Sequence, residues 1–129
     1  MATKNYLMSG ITELLILALL NEHDSYVYEI GKTINTKSNN LLSISQNTIY
    51  TATYKLVKEQ KISEYPKLVG KKRTRIYYHI EAEGIAYLHD LLETFKTTIT
   101  GTQNVLTSLH SNTENDTFCK KGNGKTPVP

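Results

Sequence analysis

A mainly α-helical fold with one small β-hairpin is predicted by three features of this sequence. Helical spacing of apolar residues governs the first 60 positions, alternation takes over between Ile62 and Ile80, and a heptad stripe runs from Ile85 to Leu109. These patterns place three short helices, a two-stranded hairpin and a long C-terminal helix in that order.

Residues 1–9 read as a short arm. From Ile11 to Leu20 the apolar residues are nearly continuous (Ile11, Leu14, Leu15, Ile16, Leu17, Ala18, Leu19, Leu20), which predicts a central, buried helix without a polar face. Asn21 to Ser25 is a turn, rich in side chains that hydrogen-bond their own backbone. Ser25 is placed to cap a second helix through about Thr36, with Val27, Ile30 and Ile34 as its inner stripe. Residues 36–40 form a loop. Ser45 is placed to cap a third helix to about Gln60, with Ile49, Ala52 and Leu56 on one face. The opposite face carries Asn47, Tyr50, Thr51, Tyr54 and Lys58.

Pro66 confines the strand Ile62–Val69 to an edge. Residues 70–74 turn, and Arg75–Ile80 alternates, with Ile76, Tyr78 and Ile80 on one side. The last helix, Glu81–Leu109, spaces Ile85, Leu88, Leu92, Phe95, Ile99, Thr102, Leu106 and Leu109 by alternating threes and fours. Its length would be about 40 Å. Such a helix outruns a small three-helix core, so its outer stripe needs a second chain or a fold-back.

Helix–helix–helix–hairpin is the order of a winged helix-turn-helix, here followed by a long C-terminal dimerisation helix. The third helix opens on Ser45, Gln46, Asn47 and Thr48. Asn and Gln pair bidentately with adenine in the major groove, and a helix N-terminus attracts phosphate. Tyr50 and Tyr54 are placed to offer hydroxyls to phosphate oxygens, with Thr51 and Lys58 on the same face. The hairpin adds Lys67, Lys71, Lys72, Arg73 and Arg75, with no acidic residue from 65 to 80. Taken singly, each of these residues has an ordinary reading as a cap, a solvated side chain or an exposed loop; their coincidence in this order of elements favours double-stranded DNA as the partner.

Composition excludes other classes. The 129 residues are 39% hydrophobic and 21% charged, ordinary for a globular chain. Residues 1–80 hold 11 Lys/Arg against 6 Asp/Glu, whereas residues 81–129 hold 4 against 6, so the first part suits a polyanion better. The single cysteine, Cys119, allows no internal disulfide and suits a reducing, cytoplasmic compartment. The longest apolar run is too short to span a membrane, and no secretory signal is visible. His23, His79, His89 and His110 are scattered, and Glu13, Glu22 and Glu29 fall on separate elements. With no metal-ligand spacing, phosphate loop or dinucleotide fingerprint, neither an enzyme nor a cofactor is expected.

Four stretches of residues 6–109 resemble the PadR family of bacterial transcriptional regulators, in particular its small members with one C-terminal helix. Ile11–Leu20 resembles the family's first core helix, and Tyr26-Val-Tyr-Glu-Ile30 is similar to its Tyr-Gly-Tyr-Glu-Ile pattern. Ser45-Gln-Asn-Thr-Ile-Tyr50 is similar to the start of its recognition helix, with Lys55-Leu56 and Lys58-Glu59 in register. Arg75-Ile-Tyr-Tyr78 and Glu83-Gly84 are similar to its second wing strand and last helix start. Val27, Asn47 and Gln60 stand where the family usually has Gly, and Thr51 where Pro is common. Val27 and Thr51 are similar to the multidrug-sensing branch. The resemblance implies that planar apolar molecules bind there between the C-terminal helices, on a paired aromatic residue. Phe95 falls in register with that residue, and is also a packing position of the heptad.

The expected organisation is a winged-helix DNA-binding domain over residues 1–80, a dimerisation helix over 81–110 and a disordered tail over 111–129. The dimer seam is expected at Ile85, Leu88, Leu92, Phe95, Ile99 and Leu106. The expected function is a homodimeric, sequence-specific repressor released by a small molecule. The alternative is a winged-helix protein-interaction adaptor that does not bind DNA, for which Asn47 and the polar loop 36–44 leave room.

Overall fold

The computed structural model describes the backbone of residues 2–109 and the side chains of residues 10–109. The expected tail over 111–129 lies outside the described residues. Four helices and a three-stranded antiparallel sheet form a winged-helix fold: α1 (Ala2–Glu22), β1 (Ser25–Tyr26), α2 (Val27–Lys37), α3 (Gln46–Lys58), β2 (Ile62–Val69), β3 (Arg73–Ile80) and α4 (Ala82–Leu109). Two compact units result, one running to Leu91 and the other starting at Leu92.

In the first unit α1 is the central element. Ile16 and Leu17 are fully buried, as are Ile30 of α2 and Ile49 and Leu56 of α3. Full burial of such a side chain contributes roughly 1.5–3 kcal/mol, so these helices hold one another through this cluster. Leu88 of α4 joins the same core, as do Ile62, Tyr78 and Ile80 from the sheet.

Three sequence expectations need correction. The arm over residues 1–9 is helical from Ala2. Ser25 does not cap α2: it is buried in β1 and pairs with Tyr78, and Tyr26 precedes the helix without a side-chain cap bond. The hairpin is therefore part of a sheet ordered β1-β3-β2. A strand of two residues has no periodicity to reveal it.

Pro66 sits in β2 opposite Ile76, and β2 is an outer strand, where a missing N–H breaks no inner ladder. Gln60 ends the exit from α3 with φ of 63°, the left-handed region for which a glycine is the usual solution.

Candidate nucleic-acid interface

The N-terminus of α3 is built by Ser45. Its Oγ accepts the Thr48 amide N–H at 3.1 Å and lies 2.9 Å from Thr48 Oγ1. The first backbone bond of the helix runs from Ile49 N–H to Ser45 O. Ser45 and Thr48 thus shape the helix end, and such a cap is worth about 1 kcal/mol. Gln46 and Asn47 are exposed on that end. Anion attraction at this turn comes from its amide groups and the helix dipole.

Further along, the helix separates its two faces cleanly. Ile49, Ala52, Thr53 and Leu56 are buried, whereas Tyr50 and Tyr54 are 54% and 69% exposed. The Lys58 ammonium lies 5.7 Å from the Tyr54 ring centroid, which orients both side chains on that surface. Thr51 is exposed, but its hydroxyl donates to Asn47 O at 3.0 Å and is turned back on its own helix.

The hairpin tip consists of Gly70, Lys71 and Lys72 between the paired residues Val69 and Arg73. Gly70 has φ of 69°, which a side chain would strain. Lys71, Lys72 and Arg73 are exposed there. Arg75 is placed differently, its guanidinium 4.3 Å from the Tyr26 ring centroid. Lys67 sits 4.7 Å from the Tyr77 ring centroid, and Tyr77 neighbours both Tyr26 (5.3 Å) and Tyr65 (5.9 Å). Three tyrosines, one per strand, thus line the sheet face that carries Lys67 and Arg75.

At the base of the hairpin, Asp24 holds the sheet together. Tyr65 OH donates to Asp24 Oδ2 at 2.6 Å, and His79 Nδ1 lies 2.8 Å from Asp24 Oδ1. Burial pushes the Asp24 carboxyl up, but the bonds from Tyr65 and His79 outweigh it and hold the pKa below its usual value. The same bond raises His79, and Tyr65 is pushed up to about 12 by its bond to Asp24.

A raised His79 favours the folded state below the ordinary histidine pKa near 6.5, and that contribution is lost as pH rises through the folded-state value. The depressed Asp24 contributes above 3.8 and is lost as pH falls through its folded-state value. The pair therefore stabilises most between these limits. Relative to His79→Asn, the wild type should lose at most about 1 kcal/mol between pH 6 and 8.5, because the pair is partly exposed. Urea titrations at both pH values check this, and an unchanged difference contradicts it.

Residues 16–90 match the PadR-like family of transcriptional regulators. The chain belongs to that family. It is 35% identical to a transcriptional regulator from Clostridium thermocellum of solved structure, with a TM-score of 0.72 over 76% of this chain and 95% of that one. It is 26% identical to Bacillus subtilis PadR, whose structure was solved in complex with operator DNA, with a TM-score of 0.59 over 64% of this chain and 47% of that one. An uncharacterised protein of Lysinibacillus sphaericus is 34% identical over 87 residues, 67% of this chain and 80% of that protein.

In this PadR-family chain the heptad residues of α4 divide between the two units. Leu88 is 3% exposed, already covered within the first unit, while Ile85 is 36% exposed. In the second unit Phe95, Ile99 and Leu106 are 38%, 41% and 39% exposed, and Leu92 is half-buried. The sequence reading missed Asp24 and Glu13, whose partners lie 41 to 74 positions away. Neither carries a local signal. Among the described residues no group of three His, Cys, Asp or Glu side chains could hold a metal ion, and no helix is long and apolar enough to cross a membrane.

Proposed function

We propose that this chain is a homodimeric, sequence-specific DNA-binding repressor acting in the cytoplasm. The observation that carries the reading is the outward polar face of α3, with Gln46, Asn47, Tyr50 and Tyr54 exposed, on the same folded unit as the basic hairpin tip. Family membership and the operator complex of the Bacillus subtilis relative support it. Gln46 and Asn47 read base edges, and Tyr50, Tyr54, Lys58, Lys71, Lys72 and Arg73 contact phosphates. Arg75 braces the wing from Tyr26.

The homodimer forms through Ile85, Leu92, Phe95, Ile99 and Leu106, whose exposed apolar stripe needs a cover. A planar apolar molecule inserting at Phe95 in that seam releases the DNA.

The test is selection of duplex from a random pool, then binding across a salt series. Lys72→Ala/Arg73→Ala should weaken binding at least about 10-fold and lower the salt slope by about two. No binding by the wild type even at low ionic strength overturns the reading and favours a protein-interaction adaptor. In the same assay, planar compounds that release DNA from the wild type should fail with Phe95→Ala.

A further inference from the structure

We propose that Glu13 is a positioning residue for DNA binding: its carboxylate ties the first turns of α4 to the recognition helix α3 and fixes that helix about its own axis. The proposal rests on the DNA-binding reading above. Glu13 belongs to α1, and its side chain is only 13% exposed. Oε2 accepts from Lys55 Nζ of α3 at 2.8 Å, and Oε1 accepts from Tyr87 OH of α4 at 2.9 Å. One carboxylate therefore joins three helices, with each oxygen committed to a different one.

Why this matters for α3 follows from the nature of its other contacts. Ile49, Ala52 and Leu56 bury apolar surface, and burial has no preferred direction. Hydrogen bonds weaken steeply when misaligned, so the Lys55–Glu13 bond constrains rotation in a way the apolar face does not. Lys55 directly follows Tyr54 in the helix, so a rotation that breaks this bond also displaces Asn47, Tyr50 and Tyr54 together. The bond raises the Lys55 pKa, and Tyr87 is raised by burial first and by its bond to Glu13 second.

The α4 side of the joint is equally anchored. Glu81 N–H donates to Lys61 O at 3.0 Å, at the exit from α3. The Lys61 ammonium lies 4.5 Å from the Tyr87 ring centroid. Gly84 lies directly against the Lys61 carbonyl. Tyr87 is thus a fixed donor, and Glu13 transmits its position to Lys55.

The experiment uses the full chain with Tyr87→Phe, Glu13→Gln and the double variant, well below their melting temperatures, on the duplex selected above. Each single variant should bind about 3- to 10-fold more weakly, the scale of one hydrogen bond. The salt slope should stay unchanged, because no phosphate contact is lost. The double variant should bind no more weakly than Glu13→Gln, since both changes remove one joint. Amide hydrogen exchange over residues 49–56 should accelerate in all three.

Folded variants that bind like the wild type overturn the proposal, as does a lower salt slope. Where Glu13→Gln does not fold, Lys55→Met at a side chain 53% exposed gives the same comparison, and Lys55→Arg should restore affinity. If the wild type binds no duplex, the DNA reading fails separately. Hydrogen exchange then decides whether the joint exists, and unchanged exchange in α3 overturns it.

Discussion

Gly84→Ala will destabilise the protein by about 3 kcal/mol or stop it folding. A Cβ at this position overlaps the Lys61 carbonyl oxygen and comes within 2.9 Å of Ile80 Cγ1. The first obstacle is backbone at the α3–β2 turn, which cannot rotate away as a flexible side chain would. Relief requires α4 to move off the turn, which breaks the Glu81–Lys61 backbone bond and pulls Leu88 out of the core. Overpacking of this kind typically costs about 1–3 kcal/mol, and immovable backbone places it at the upper end. Alanine is the better helix former by about 1 kcal/mol, so the measured loss is net of that gain. Gly101→Ala is the control: nothing lies within 4 Å of a Cβ there, so the change should be neutral or favourable. Urea unfolding of both variants decides the matter, and equal stabilities would refute the contact.

Ile99→Asp will convert the dimer to monomer and weaken operator binding about 100-fold or more. Ile99 is 41% exposed on the single chain, so the charge costs the isolated monomer little. In a heptad seam the same carboxylate faces its copy without water, and burial of an unpaired charge is costly. Loss of the dimer also removes the link between two half-site contacts, and such linkage contributes about 10²- to 10⁴-fold. Analytical ultracentrifugation beside the binding assay separates the two effects. A dimeric variant with normal affinity would place the interface elsewhere.

The elements readable in advance were those whose cause is local. Ser45 announces α3 because a serine before a helical stripe has one job, and its oxygen does accept the Thr48 amide. Pro66 announces an outer strand because it lacks a donor, and β2 is outer. The heptad gives α4 its length from Ala82 to Leu109. What escaped has distant causes. Ser25 resembles a helix cap, but it is needed for pairing with Tyr78, and nothing nearby signals a strand of two residues. Glu13 reads as an ordinary acid on an apolar helix until the fold brings Lys55 and Tyr87 to it. Tyr50 and Tyr54 could be given a face from spacing, whereas Arg75 could not be assigned to Tyr26 before β1 was known.

The proline opposite Ile76 also bears on what happens when many copies crowd together, as they do during synthesis. An open sheet rim with an unbroken row of donors invites a neighbour's rim to zip onto it and start a filament. Here that row is interrupted in mid-strand by Pro66, and the next residue, Lys67, adds charge at the gap. The hairpin can therefore stand out from the body without becoming a template for aggregation.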